Sequence, residues 1–305
     1  MTSDLRSDES LVAASGAGTS GEAWTVMALL RWTTDYFAKQ GIDSPRLDAE
    51  CLLAFALDCD RVALYVEYEK PVFEAERSRF RELVQRRARE RVPVAQLLGR
   101  REFWSLSFEV TSDVLTPRPE TETLVAALLE RIASSPESTR VLELGTGSGC
   151  IAIALARECP RLEITATDIS DAALCVAKRN AARLEVADRI DFRRGDLLAP
   201  VAGEHFDWIV SNPPYLARDD AETLPPELAS EPDGALFGGA DGLEITRRIW
   251  QEAPAALAAG GRILLEVGLG QADAVCGGFR GVGLSNCEVV SDLSHCPRVI
   301  VASRA

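Results

Sequence analysis

The sequence predicts an α/β fold: a doubly wound parallel sheet in the C-terminal two thirds, with a small N-terminal helical domain joined to it by a β-hairpin. Three observations predict it. From Glu120 onward, strand-length apolar runs alternate with helix-length amphipathic ones, the texture of strands joined by crossover helices. Between Trp24 and about Arg91 the apolar residues recur at helical spacing. Between these regions, residues 102–116 (EFWSLSFEVTSDVLT) alternate as a hairpin does. The expected organisation is a disordered tail over 1–22, a helical domain over 23–92, a hairpin linker over 93–118 and the α/β domain over 119–305.

The tail is rich in Ser, Gly, Ala, Asp and Glu and lacks periodic apolar residues, so it cannot bury enough surface to order itself. Asp4, Asp8 and Glu9 argue against a mitochondrial transit peptide. In the helical domain, Val26, Leu29, Leu30 and Phe37 form one stripe. A second helix opens with Ser44 as N-cap and Pro45 in its first turn, then runs through Leu52, Leu53 and Ala56. A third spans roughly Glu74 to Arg91, burying Phe80, Leu83 and Val84, with Arg86, Arg87, Arg89 and Arg91 read as a solvated face.

In the α/β domain a helix stripe (Leu124, Val125, Leu128, Leu129, Ile132) precedes a Ser/Pro break over 134–139. Strands are expected at Val141–Leu144, Leu162–Thr167, Ile190–Arg193 and Phe206–Ser211, with helices at Ile151–Glu158 and Ala172–Leu184. A helix near Leu243–Leu257, a strand at Arg262–Val267 and two last strands near Cys287–Val290 and Val299–Ala302 complete the domain. Sheets of this kind bind ligands at the carboxyl ends of their strands.

Composition narrows the function. The 305 residues are 47% hydrophobic and 26% charged, enough for a sizeable core. No apolar run approaches the roughly 20 residues that span a bilayer, so no membrane segment is expected. A net charge of −14 argues against broad affinity for DNA or RNA. Eight scattered cysteines without a CxxC pair suggest free thiols in a reduced, cytoplasmic protein. His205 and His295 have no ligand pattern around them, so no metal is expected; His205 is placed at the surface.

Four segments follow four successive strands and therefore converge on one edge of the sheet. The first is the glycine loop Gly145, Thr146, Gly147, Ser148, Gly149, where free backbone N–H groups meet a helix N-terminus. Cys150 stands where a dinucleotide fingerprint needs its third glycine, which disfavours a pyrophosphate cradle. The second is Asp168, whose carboxylate can accept both hydroxyls of a ribose. The third is Asp196, placed to meet an adenine amino group, with Leu197 against the ring. Together they fit S-adenosylmethionine.

The fourth is Asn212, Pro213, Pro214 and Tyr215. Proline brings a carbonyl without a donor, and Pro213 holds Asn212 extended. The Asn212 side-chain oxygen and the Pro213 carbonyl can each take one hydrogen of a planar –NH2, with Tyr215 stacked on its face. Such a rim suits an amide or an aromatic amine.

These motifs, with Pro93-Val94-Ala95-Gln96-Leu97-Leu98-Gly99, Arg101-Glu102-Phe103-Trp104, Leu115-Thr116-Pro117-Arg118-Pro119-Glu120-Thr121-Glu122, Glu231-Pro232, Gly239-Ala240-Asp241-Gly242-Leu243 and Leu265-Glu266-Val267-Gly268 with Gln271, extend over residues 24–303. The chain resembles the HemK/PrmC family of class I S-adenosylmethionine-dependent methyltransferases. The resemblance implies a Rossmann-like fold and methylation of the glutamine amide in the Gly-Gly-Gln loop of peptide chain release factors. It places cofactor contacts on Gly145 to Gly149, Asp168, Asp196, Leu197 and Asn212, and the glutamine-holding segment on Asn212 to Tyr215. The helical domain would recognise the release factor. Rival readings are a ribosomal-protein glutamine as substrate, an adenine amino group of a nucleic acid, or an S-adenosylmethionine-binding adaptor without turnover.

Overall fold

The computed structural model describes residues 24–133 and 138–305, so the tail expected over 1–22 and most of the break after Ala133 lie outside the described residues. The chain divides into two compact units after Leu98.

The first unit holds α1 (Val26–Lys39), α2 (Pro45–Ala56), α3 (Arg61–Val66), α4 (Glu74–Arg89) and α5 (Val94–Leu98). Thr25 caps α1, its hydroxyl accepting from the Ala28 N–H at 3.2 Å, and the expected stripe is buried. Ser44 makes no side-chain cap; Pro45 presets the first turn and the Ser44 carbonyl accepts from Asp48 N–H at 2.9 Å. The arginine run is not a uniform solvated face. Arg87 follows Leu83 and Val84 at helical spacing, so it is buried and pairs with Asp48 at 2.8 Å. Arg91 donates to the Gln40 and Gly41 carbonyls at 3.0 and 3.1 Å.

The second unit opens with a hairpin, β1 (Arg100–Phe103) and β2 (Leu106–Glu109), shorter and earlier than 102–116. Its turn residues Trp104 and Ser105 both have positive φ, 52° and 56°. Two carboxylates hold that unfavourable turn: Glu122 accepts from Trp104 N–H at 2.7 Å and Glu158 from its indole N–H at 2.9 Å. Phe103 and Phe108 meet edge to face at 6.0 Å and enter the α/β core. The segment expected as a linker over 93–118 is thus divided: α5 packs in the helical core and the hairpin in the α/β core.

Among the described residues seven strands form the main sheet, in the order β5–β4–β3–β6–β7–β9–β8. They are β3 (Thr139–Leu144), β4 (Leu162–Asp168), β5 (Ile190–Arg194), β6 (Phe206–Ser211), β7 (Leu257–Glu266), β8 (Leu284–Ser291) and β9 (Pro297–Arg304). The sheet is parallel through β7 and turns antiparallel at β9 and β8. Residues 292–296, which join β8 to β9, are too few for a crossover.

Strand alternation sends Val141, Val210 and Leu264 to one face, under α6 (Glu122–Ile132) and α7 (Cys150–Glu158), flanked by α8 (Asp171–Arg183). Leu142, Ile209 and Leu265 face α9 (Glu244–Ala256) and α10 (Ala272–Gly281) on the other side. The sequence reading did not include α10, whose Gly277 and Gly278 lower helix propensity. Gly278 is needed for close packing: a Cβ there would lie 2.5 Å from the Trp250 ring. Cys276 of α10 and Cys287 of β8 form a disulfide, Cα to Cα 5.9 Å. That corrects the expectation of free thiols at these two positions; the fold brings together cysteines whose spacing carries no signal. Cys51, Cys59, Cys150, Cys159, Cys175 and Cys296 take no part in a disulfide.

Candidate active site

The carboxyl ends of β3, β4 and β6 meet at an open cleft of about 410 Å³ in the second unit. The glycine loop leaves β3 and is tied at once to β4, since Gly145 and Thr146 N–H both donate to the Thr167 carbonyl at 2.9 and 3.0 Å. Gly149 has φ +82°, and a Cβ there would fall 2.9 Å from Ile153 Cδ1 and 3.1 Å from Ala177 Cβ. Only glycine allows both that backbone and that approach. Asn180, fully buried on α8, donates to the Ser148 carbonyl at 2.9 Å and the Glu109 carbonyl at 3.0 Å, and accepts from Glu109 N–H at 2.7 Å. The loop is therefore pinned to the hairpin.

Glu143, the residue before Leu144 at the end of β3, is buried under this loop. Its Oε2 accepts from the Thr146 hydroxyl at 2.7 Å and Ala152 N–H at 3.2 Å, while Oε1 is buried without a partner. Burial pushes its carboxyl up to about 8. Asp168 ends β4, with Oδ2 on Gly147 N–H and Oδ1 on Ser170 N–H, both at 2.9 Å. Burial raises its carboxyl while these N–H groups pull the other way. A carboxylate has about four lone-pair directions, so capacity remains on both oxygens. Asp196 pairs with Arg248 at 2.6 Å, and Leu197, at φ 47°, presents its carbonyl to the Thr167 hydroxyl at 3.2 Å.

Asn212 follows β6. The Ser211 hydroxyl donates to the Leu144 carbonyl at 2.8 Å, holding the ends of β6 and β3 together. Asn212 Nδ2 donates to Thr121 Oγ1 at 3.1 Å, which turns Oδ1 away from Thr121. The segment before α6 is clasped by buried Glu231, which accepts from Thr116 N–H at 3.1 Å and pairs with Arg118.

The cleft wall brings together Gly145, Thr146, Gly147, Ser148, Asp168, Asp196, Leu197, Asn212 and Pro214. Gly149 lies beneath the loop and Pro213 is buried. Tyr215 is half-buried beside Gly268, and its carbonyl accepts from Gln271 Nε2 at 2.9 Å. Its ring is not part of the cleft wall.

Residues 28–99 match the PrmC N-terminal domain, and residues 120–228 match the methyltransferase small domain. A release factor glutamine methyltransferase of Rhodopirellula baltica is 47% identical over 249 residues, covering 80% of this chain and 84% of that protein. The chain belongs to the release factor glutamine methyltransferase family. A second member, from Geobacter sulfurreducens, is 42% identical over 280 residues, 92% of this chain and 96% of the relative. The crystal structure of a methyltransferase from Pyrococcus furiosus shares the fold, with a TM-score of 0.50 at 19% identity over 66% of this chain and 89% of that one.

Within this family frame, several cleft residues carried no signal of their own in the sequence. Arg248 reaches Asp196 from α9, and Ile169, 67% exposed, lines the cleft beside Asp168. Thr121, on the cleft wall, and Glu231, behind it, lie within the family motifs but had no role assigned from sequence. Their partners lie 91 and 115 residues away along the chain.

Proposed function

We propose that this chain methylates the side-chain amide nitrogen of the glutamine in the Gly-Gly-Gln motif of peptide chain release factors. The methyl donor is S-adenosylmethionine, and the release factor substrate puts the reaction in the cytoplasm. The carrying observation is the Asn212–Thr121 hydrogen bond, in which Nδ2 is the donor and Oδ1 is left as the acceptor at the cleft.

The residues present fit the cofactor. The unpartnered, buried Glu143 Oε1 suits its ammonium group, Asp168 has lone pairs for ribose hydroxyls, and Leu197 and Ile169 supply apolar surface for the adenine. When bound, it supplies an electrophilic methyl group on a sulfonium. The substrate's amide nitrogen is a poor nucleophile because its lone pair is delocalised into the carbonyl. Asn212 Oδ1 and the Pro213 carbonyl accept the two N–H bonds and draw electron density onto nitrogen, holding it near the attack distance of about 3–3.5 Å. These fixed dipoles stabilise the positive charge that develops on nitrogen without reorganising. With the cofactor held there, the methyl would pass to the amide nitrogen as the C–S bonding pair returned to sulfur, and the extra N–H proton would leave to water.

Asn212→Ala should slow single-turnover methyl transfer by about 10²–10³-fold while the fold persists. An unchanged rate would remove Asn212 from the chemistry. Incubation with labelled S-adenosylmethionine and purified release factor, followed by mass spectrometry, should put the label on the Gly-Gly-Gln glutamine. Label on a ribosomal protein or a nucleic acid instead would overturn the assignment. The net charge of −14 argues against stable nucleic-acid binding, which a gel shift at moderate salt checks. The helical unit supplies the contact that selects the intact release factor, since a tripeptide buries far less than the roughly 800 Å² per side of a stable interface.

A further inference from the structure

Glu266 is a buried carboxyl that the scheme above leaves without a task. It ends β7, is 1% exposed, and neither oxygen meets a partner at full hydrogen-bonding geometry. The Thr121 hydroxyl is still close enough to favour its charged form. A small shift of the Thr121 side chain toward the carboxylate would complete that bond and relieve the cost of a buried carboxylate without a partner.

Strand register explains why these groups meet. Ser211 of β6 pairs with Leu265 of β7, so Asn212 and Glu266 leave neighbouring parallel strands at the same level. Each lies two residues beyond a core side chain, Val210 and Leu264, on the face covered by α6. Thr121 stands at the start of α6, is 2% exposed, and accepts from Asn212 Nδ2.

We propose that Glu266 is a positioning residue for methyl transfer: as a carboxylate it accepts the Thr121 proton, obliges the Thr121 oxygen to accept from Asn212 Nδ2, and so keeps Asn212 Oδ1 turned to the substrate. The inference rests on the reading of Asn212 as the substrate's acceptor. Its logic is polarity. A hydroxyl donates or accepts, and an asparagine amide presents either end, so Thr121 and Asn212 alone permit two arrangements. In the reverse one, Thr121 donates to Oδ1 and Asn212 shows its –NH2 to the substrate –NH2, donor against donor. An ionised carboxylate only accepts, which excludes that arrangement; a protonated Glu266 donates to Thr121 and allows it.

Burial pushes Glu266 up to about 7, against Arg298 of β9 and Arg118, which favour its charge; Glu120 opposes it. Tyr215 and Cys150 also lie within its electrostatic reach. Deprotonation therefore falls in the working range, and the acceptor arrangement strengthens as pH rises through it.

The test uses the full chain in single turnover on a Gly-Gly-Gln peptide, with saturating S-adenosylmethionine, from pH 6 to 8.5. The wild-type rate should rise about tenfold, the worth of one hydrogen bond of about 1.4 kcal/mol. Glu266→Gln, which both donates and accepts, should run about tenfold slower at pH 8 with a flat profile and a KM for peptide within about twofold of wild type. Thr121→Val should flatten the profile likewise, Thr121→Ser should keep it, and the Glu266→Gln/Thr121→Val double variant should be no slower than the worse single one. A wild-type profile in Glu266→Gln, or additive losses in the double variant, would overturn the proposal. If Glu266→Gln does not fold, the Thr121→Val and Thr121→Ser profiles decide it by the same criteria. Asn212→Ala separates the two readings: an unchanged rate there defeats the acceptor role itself, whereas its loss beside an unaffected Glu266→Gln defeats only the relay.

Discussion

Glu143 links the chemistry of the cleft to the stability of the fold through one proton. Its carboxyl is raised from an ordinary 4.5 to about 8 by burial, so the folded chain holds a proton that the unfolded chain releases. The stabilisation is full below pH 4.5 and is lost as pH rises through about 8. Glu143→Gln cannot ionise and still accepts from Thr146 and Ala152. Without cofactor, the variant should gain on wild type as pH rises, by about 2–4 kcal/mol at pH 8.5, read as diverging Tm curves from pH 5 upward. Its affinity for S-adenosylmethionine should fall, because the charge facing the ammonium is gone. Parallel Tm curves would show that the carboxyl ionises freely in the folded chain. The glycine loop, Asp168, Asn212 and Pro214 could be brought to one cleft from the sequence because they are contiguous residues or strand ends, whereas the Tyr215 ring, expected to stack there, is not part of the cleft wall. Thr121 and Glu266 were not legible. Their roles arise from a hydrogen bond across 91 residues and from strand register, which local sequence does not encode.

At the scale of elements, Asn180 does for the loop what no glycine can, fixing it against the hairpin by three hydrogen bonds at full burial. Asn180→Ala leaves Glu109 N–H, the Glu109 carbonyl and the Ser148 carbonyl without that partner. The expected loss is about 2–4 kcal/mol in denaturant unfolding. A raised Kd for S-adenosylmethionine should accompany it, with kcat for the bound complex much less affected. Wild-type stability would mean that water replaces the side chain at no cost. Most strands and long helices of the α/β unit stood out within a residue or two, because a buried parallel strand is a compact apolar run, but β7 begins five residues and β8 three residues before the expected start, and α10 was not anticipated. The hairpin was misplaced since its turn is Trp104-Ser105, which lacks the Gly or Asn that usually marks one. Helices α3 and α5 span six and five residues, too short for a periodic signal.

At the scale of the whole molecule, substrate choice is divided, under the proposed function, between two units whose surfaces differ in kind. On that reading the cleft of the second holds the cofactor and one amide. In the first, α3 presents Val62, Tyr65 and Val66 at i, i+3 and i+4, exposed by 70%, 51% and 75%, with Phe73 ahead of α4 exposed by 69%. Residues at that spacing share one helix face, and a solvent-facing apolar face of this kind is suited to docking a protein. Val66→Glu and Phe73→Glu should leave folding intact, since neither side chain is buried. Each should raise KM for the intact release factor by about tenfold while leaving KM and kcat for a Gly-Gly-Gln peptide unchanged, because an apolar anchor lost from an interface costs about 1–2 kcal/mol. Equal effects on both substrates would trace the change to the cleft, and no effect on either would move the docking surface elsewhere on the helical unit. The comparison isolates recognition from chemistry, because the peptide contains all that the acceptor rim reads and nothing that α3 reads.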